Sequence, residues 1–204
     1  MIHLFLSSSF KDVAPLFLHF SGGFSVEKTI TFIPTAALHE KVNFYVKAGK
    51  HALEKCGWIV DELEVSTAST DEITSKLTTN PYVYVSGGNT FFLLQALKRT
   101  GADKLLIQHI QTGKPYVGES AGSIIVAPHI EYAKGMDDVG AAPDLADFNA
   151  LGMVDFFPLP HHTNFPFKKA VEKIIRQQGD TLSLVPFSNS QAIVVHGDTM
   201  TVTP

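Results

Sequence analysis

Short, nearly continuous apolar runs alternate along the chain with longer segments in which apolar residues recur at helical spacing. Continuous apolar runs are typical of strands that are buried on both faces of a sheet. The strands predicted in this way span residues 2–6, 28–34, 58–65, 82–86 and 115–120. Apolar residues at helical spacing, Val42 among them, predict a helix over 38–56. Further helices are predicted after glycine-rich turns, over 87–99 and 121–128. Strands separated by helices predict βαβ units and a parallel sheet.

The last quarter of the chain has a different pattern. The segments 181–187, 191–197 and 199–204 predict strands, with His196-Gly197-Asp198 as a hairpin turn. Before them, the Gly-, Asp- and Ala-rich segment 129–155 predicts a long loop with short helical pieces. Internal repeats and low-complexity linkers are absent from the sequence, so we expect residues 1–204 to form a single domain.

Composition and charge narrow the classes of protein that the chain can belong to. Apolar residues make up 45% and charged residues 18%, which is typical of a globular protein. A formal net charge of −4 argues against non-specific nucleic-acid binding. The single cysteine, Cys56, excludes an intrachain disulfide and fits a reducing compartment. Because the sequence shows neither a signal peptide nor a membrane-length apolar run, we expect a cytoplasmic protein without membrane contact.

Residues 118–122, Gly-Glu-Ser-Ala-Gly, match the G-x-S-x-G pattern between a predicted strand and a predicted helix. In a nucleophile elbow the serine occupies a strained turn, and the flanking glycines keep Cβ atoms out of crowded space. The free N–H groups of the following helix favour developing negative charge. Ser120 is therefore a candidate nucleophile, and the alternative is a tight turn in which Ser120 caps the helix.

A second glycine-rich switch from strand to helix lies at Ser86-Gly87-Gly88-Asn89. Adjacent glycines let backbone N–H groups approach a ligand closely, as an oxyanion hole requires. The Gly88 and Ala121 N–H groups are the donors that we predict. The segment lacks both the P-loop and the dinucleotide fingerprint, so no cofactor is expected. Residues 6–12 form a weaker candidate for lining the same cleft.

His161 and His162 lie between prolines and supply a candidate base. A neutral histidine within hydrogen-bond reach is the usual activator of a serine. In an extended segment adjacent side chains point in opposite directions, so only one of the two can face Ser120. The sequence near the two histidines contains neither a cysteine nor an H-x-x-x-H motif that would complete a metal site. We therefore expect no bound metal ion.

The motifs SGGNTF, GESAGS and PHHTN, in this order, resemble those of the serine peptidases of the dipeptidase E and cyanophycinase family. The resemblance covers nearly the whole chain. It implies an α/β three-layer sandwich of the class I glutamine amidotransferase-like (flavodoxin-like) type, with a mostly parallel central sheet and helices on both faces. It also implies a Ser120 nucleophile, a His161 base rather than His162, and Gly88 and Ala121 as oxyanion donors. The substrate-binding candidates are Asn89, His162 and Asn164.

The sequence departs from the family pattern at two places. Dipeptidase E carries a glutamate near the C-terminal strands that orients the histidine, whereas this chain has Ser188-Asn189-Ser190 there. Ser188 is the predicted orienting residue, and the alternatives are Asn189, Ser190, Asp137 and Asp138. Aspartate-specific members also carry an arginine beyond the histidine motif, for which Lys168 or Lys169 could substitute here. The resemblance therefore does not fix the residue preference at the scissile bond.

We therefore predict a serine-type peptidase that hydrolyses dipeptides or short peptides through an acyl-enzyme, as a monomer or a homodimer. An α/β-hydrolase esterase is one alternative, although 41 positions between Ser120 and His161 leave little room for that fold. A catalytically weak binding protein on the same scaffold is another, because the orienting carboxylate is missing. Glu119 is expected to be a structural or solvent-facing carboxylate.

Overall fold

The structure, a computed structural model, describes residues 1–38, 40 and 43–204. Its strands are β1 (His3–Ser7), β2 (Thr29–Ile33), β3 (Ile59–Glu62), β4 (Tyr82–Val85), β5 (Tyr116–Glu119), β6 (Phe157–Leu159), β7 (Leu184–Pro186), β8 (Ala192–His196) and β9 (Thr199–Thr203). Its α-helices are α1 (Phe10–Ser21), α2 (Phe44–Lys55), α3 (Thr70–Thr79), α4 (Thr90–Thr100), α5 (Ala102–Gln111), α6 (Ala121–Ile124) and α7 (Lys168–Gln178).

The central sheet is mostly parallel, as the alternation of strands and helices predicted. Its strand order is β3-β2-β4-β5-β1-β8-β9. The first five strands run parallel to one another, and β8 and β9 form an antiparallel hairpin that pairs with β1. Strands β6 and β7 form a separate two-stranded parallel sheet. The architecture is α/β.

Helices cover both faces of the sheet, which explains why the inner strands β1, β4 and β5 are almost entirely buried. Alternate residues of β1 point to opposite faces, so Phe5 packs with α1 and α2 while Leu4 and Leu6 pack with α3 to α6. On the α1 face the core is aromatic, and Phe17 packs against both Phe5 and Trp58. The two faces form separate apolar clusters.

The helices were predicted less completely than the strands. The helix predicted over 38–56 is observed as α2, while its positions 39, 41 and 42, including Val42, lie outside the described residues. The pattern did not indicate α1, α3 or α5. Helix α1 contains Pro15, which cannot donate a main-chain hydrogen bond, and α3 buries only Ile73 and Leu77. The helix predicted over 121–128 ends at Ile124.

The long segment before β6 is a loop, as predicted, with short 3₁₀ helices at Glu131–Gly135 and Val139–Ala141. Strand β6 was not predicted, because its three residues include Pro158. Within the part of the chain that the structure describes, no helix is both long and apolar enough to cross a membrane.

The strand order determines where the sequence motifs meet. Strands β4, β5 and β1 are neighbours and run parallel, so their carboxyl ends lie at one edge of the sheet. Ser86 to Asn89 follow β4, Ser120 follows β5, and Ser8 follows β1. Ligands of open α/β sheets bind at this edge. The fold therefore brings three separate polar turns together.

Candidate active site

Ser120 occupies a strained turn between β5 and α6. Its backbone has φ 49° and ψ −107°, outside the main regions allowed to a residue with a Cβ atom. A Cβ atom on Gly122 would lie 2.1 Å from the Val85 carbonyl oxygen, and one on Gly118 would lie 2.5 Å from the Gly122 carbonyl oxygen. Both glycines are therefore required, and this close packing holds Ser120 in its strained conformation.

His161 faces Ser120 across the cleft. Its Nε2 lies 2.8 Å from the Ser120 Oγ, within hydrogen-bond reach. The His161 backbone N–H donates to the Ser8 Oγ at 3.0 Å, and the imidazole ring stacks on Phe167 with ring centres 4.7 Å apart. His161 itself has a positive φ of 64°. Three separate contacts thus fix the ring in the orientation that a general base for Ser120 requires.

Asn189 lies beside the His161 imidazole, at the place for which Ser188 is the predicted residue. The Asn189 Oδ1 lies 3.0 Å from the His161 Nδ1, and the Asn189 backbone N–H donates to the Asn164 Oδ1 at 2.9 Å. The Ser188 hydroxyl lies 3.1 Å from the Ser190 hydroxyl instead. Ser188 and Ser190 share one side of the turn, and the residue between them faces the imidazole. The structure therefore brings Asn189, one of the predicted alternatives, to the His161 Nδ1, and it does not bring Ser188 there.

Two backbone N–H groups are available to bind an oxyanion. Among the described residues, neither the Gly88 nor the Ala121 N–H has an acceptor. A Cβ atom on Gly88 would lie 2.2 Å from the Ala36 carbonyl group, and Gly88 has φ 139°, so only glycine fits there. A Cβ atom on Gly87 would lie 3.1 Å from the Ser120 Cβ. The two glycine-rich switches are therefore in direct contact.

Glu119 is a buried structural carboxylate. Its Oε1 accepts a hydrogen bond from the Phe10 N–H at 2.8 Å, and its Oε2 accepts one from the Tyr84 hydroxyl at 2.7 Å. Burial raises the pKa of Glu119 above its usual value. The Glu119 side chain is bonded to the first turn of α1 and to β4, whereas the Ser120 hydroxyl contacts His161.

The environment of His161 favours the neutral imidazole. Burial lowers its pKa below the usual value of 6.5, and the hydrogen bond to Asn189 opposes this shift only in part. A histidine must be neutral to accept the Ser120 proton, so a lowered pKa extends the active range toward acid pH.

The acid limb of kcat/KM is accordingly expected to have its midpoint below pH 6.5, because kcat/KM reports ionisations of the free enzyme. Initial rates for one uncharged ester substrate between pH 4 and 9 measure it. A midpoint above 6.5 would contradict the assignment of His161 as the base.

Ser120 and His161 lie in a cleft of about 550 Å³. Predicted residues that line it are Gly88, Asn89, Ser120, His161 and Asn189. Ser8, Ser9 and Lys11, from the turn that was a weaker candidate, also line it. The amide of Asn89 is engaged in structure, since its Oδ1 caps the Phe92 N–H and its Nδ2 donates to the Asp138 carbonyl.

Other predicted residues lie away from the cleft. Among the described residues, those that line the cleft do not include His162, Asn164, Lys168 or Lys169. Asn164 instead supports Asn189, and the His162 N–H donates to the Phe187 carbonyl. In the described part of the chain, His162 and Asn164 thus contact the framework around His161, and their predicted substrate-binding role stays a prediction. No cluster of metal-ligating side chains occurs in the described ranges of the chain.

Sequence reasoning missed one residue of the site, Phe167, and expected a different contact for another, Asp137. Phe167 stacks on His161, and no sequence pattern indicated this because the contact depends on the loop that follows His161. Asp137 lines the cleft and binds α4 rather than His161: its Oδ2 accepts a hydrogen bond from the Thr90 N–H at 3.0 Å and another from the Thr90 hydroxyl. Asp137 was an alternative candidate for orienting His161, and its place in the long Asp-rich loop was the signal for that prediction.

Comparison with known proteins places these features in a family. The sequence profile of Peptidase family S51 matches residues 4–203. An uncharacterised peptidase of Pasteurella multocida is 55% identical over 199 residues, which cover 98% of this chain and 96% of that protein. An uncharacterised peptidase of Listeria monocytogenes is 52% identical over 197 residues, which cover 97% of this chain and 96% of that protein.

A solved structure is similar along the whole chain. It is the crystal structure of a Listeria monocytogenes EGD-e protein that has been assigned as a peptidase E, and it superposes with a TM-score of 0.94 at 50% sequence identity. The match covers 100% of this chain and 98% of that one. The α/β fold described above is therefore the fold of that protein.

Proposed function

The chain belongs to peptidase family S51, and on this premise we propose that it is a serine-type peptidase that hydrolyses dipeptides or other short peptides. Ser120 is the nucleophile, His161 the general base and Asn189 the residue that orients His161. The Gly88 and Ala121 N–H groups bind the oxyanion. The observation that supports this most directly is the 2.8 Å separation between the Ser120 Oγ and the His161 Nε2.

The proposed reaction has two halves. The Ser120 Oγ attacks the scissile carbonyl while its proton passes to the His161 Nε2, and the two N–H groups stabilise the tetrahedral oxyanion. The C–N bond then breaks, His161 returns the proton to the leaving amine, and an ester to Ser120 remains. Water, deprotonated by His161, hydrolyses that ester and restores the enzyme.

Asn189 supplies less stabilisation to this cycle than a carboxylate would. Its neutral Oδ1 can accept the His161 Nδ1–H and so hold the tautomer in which Nε2 is free to take the serine proton. It carries no negative charge to stabilise the imidazolium that forms next. We therefore expect a working but slower catalyst than a Ser-His-carboxylate site.

A panel of dipeptides, including Asp-Xaa members, tests the proposed function. We expect hydrolysis of unblocked dipeptides and covalent labelling of Ser120 by a fluorophosphonate, with both lost in Ser120→Ala. Hydrolysis of p-nitrophenyl esters at a kcat/KM far above that of any peptide would instead favour an esterase. Absence of labelling in folded protein would favour a binding protein that does not catalyse.

Replacing Asn189 by Leu is expected to lower kcat by about 10- to 100-fold, because it removes one hydrogen bond to a group that becomes charged. Asn189→Asp should restore the hydrogen bond and add a charge that raises the pKa of His161. The acid limb of kcat/KM should therefore shift to higher pH in Asn189→Asp. Steady-state kinetics across pH measure both effects.

Ser188→Ala is the matched control, since the Ser188 hydroxyl contacts Ser190 rather than His161. Its kinetics should match those of the unmodified enzyme. A larger loss in Ser188→Ala than in Asn189→Leu would return the orienting role to Ser188.

A further inference from the structure

The cleft around Ser120 carries an excess of negative charge. Among the described residues that line it, the only Lys or Arg is Lys11. The carboxylates that line it are those of Asp12, Glu40, Glu119, Asp137 and Asp138. Low-dielectric walls strengthen the field inside a cleft lined by charges of one sign. A positively charged group on the substrate would therefore be attracted to this cleft.

Asp137 is the carboxylate that is best positioned to bind such a group. Its Oδ2 is held by the Thr90 N–H and hydroxyl at the first turn of α4, where the helix dipole stabilises negative charge. Its Oδ1 has no hydrogen-bond partner among the described residues. One oxygen is thus anchored, and the other is left to accept from a ligand in the cleft that Asp137 lines.

The electrostatic surroundings agree with this assignment. Burial and the nearby Glu40 carboxylate raise the pKa of Asp137 to about 6. The carboxyl is therefore mainly ionised at neutral pH, yet among the described residues no Lys, Arg or His side chain is bonded to it. A bound ammonium group would supply the missing positive charge.

The chain connection limits how far Asp137 lies from the oxyanion donors. Thr90 follows Gly88 by two residues, and an extended chain advances at most about 3.6 Å per residue, so the carboxylate lies within roughly 10 Å of the Gly88 N–H. In a bound peptide whose scissile carbonyl lies at the Gly88 N–H, the backbone nitrogen of the residue that carries this carbonyl can lie close enough to contact the Asp137 carboxylate. So can the nitrogen of the residue before it.

We infer that Asp137 binds the α-ammonium group of the substrate and so directs cleavage to one or two residues from a free N-terminus. This inference rests on the proposed function. It explains why the cleft would take unblocked short peptides: the charged terminus is present at the correct distance only when few residues precede the scissile bond.

The test compares the best dipeptide of the panel with its des-amino analogue, which removes the ammonium group without adding bulk. For the unmodified enzyme, kcat/KM should be at least about 100-fold higher for the dipeptide, as expected when one partner of a buried charge pair is removed. In Asp137→Asn this ratio should fall by at least 10-fold. Asp144→Asn, on the same loop but outside the cleft lining, should keep the ratio of the unmodified enzyme.

Equal kcat/KM for the dipeptide and the des-amino analogue in the unmodified enzyme would overturn the inference without using any variant. So would an unchanged ratio in Asp137→Asn. Fluorophosphonate labelling of Ser120 separates these failures from failure of the proposed function, since labelling needs the nucleophile but no ammonium group. Labelling with equal kcat/KM values rejects only the subsite, whereas absence of both labelling and peptide hydrolysis rejects the peptidase proposal and the subsite together.

Discussion

Ser120→Ala is expected to lower kcat/KM for short peptides by about 10⁴-fold or more, since removal of the nucleophile leaves only binding and oxyanion stabilisation. Within the described ranges, the Ser120 Oγ makes one side-chain hydrogen bond, to the His161 Nε2. Alanine meets the same backbone strain as serine at φ 49°, so the substitution adds no new clash. Activity should therefore be lost while the melting temperature changes by only a few degrees.

Two measurements separate this result from unfolding. Thermal melting should show a cooperative transition close to that of the unmodified protein, and binding of a short peptide should persist because the rest of the cleft is intact. Peptide hydrolysis by well-folded Ser120→Ala at more than about a tenth of the original rate would refute the assignment of Ser120.

His161→Gln has the second largest expected effect, a fall in kcat/KM of about 10³- to 10⁴-fold. Glutamine can keep a hydrogen bond to the Ser120 hydroxyl, but it cannot accept the proton that attack releases. Fluorophosphonate labelling of Ser120 should slow by a similar factor, because that reaction also needs an activated hydroxyl. Labelling rates and peptide kinetics measured on one preparation test both statements.

His162→Gln is the matched control because the change is the same and the position is adjacent. The backbone N–H of His162 bonds to the Phe187 carbonyl, and its side chain does not line the cleft described above. Its kinetics should stay within about threefold of the unmodified enzyme. A loss in His162→Gln equal to that in His161→Gln would mean that the pair acts as a unit or that the base has been misassigned.

Several features of the fold and the site could be predicted because they depend on local chemistry. The strands could be located because burial on both faces of a sheet requires nearly continuous apolar residues. The turn at Ser120 could be located because its strained backbone demands small neighbours, as the contacts of Gly118 and Gly122 show. Helix α3 was missed because it buries only Ile73 and Leu77 and therefore lacks a strong apolar pattern.

The orienting residue could not be predicted from the sequence. Ser188, Asn189 and Ser190 all offer an oxygen that could accept the His161 Nδ1–H, so chemistry alone does not distinguish them. The choice depends on how the turn before β8 packs against the loop after β6, which joins residues 28 positions apart. The resemblance to a family with a glutamate there gave no guide to which of the three faces the ring.

Sequence patterns were enough to predict the parallel α/β fold and the two glycine-rich switches, and to narrow the candidate nucleophile and base to Ser120 and the pair His161 and His162. Each of these features depends on steric requirements and apolar spacing among residues that are close together in the chain. Three contacts could be seen only in the folded protein: Asn189 rather than Ser188 contacts His161, Glu119 is buried against Phe10 and Tyr84, and Asp137 is bonded to Thr90. These contacts join residues 28 to 109 positions apart, and their geometry is set by the packing of whole elements, which no local pattern encodes.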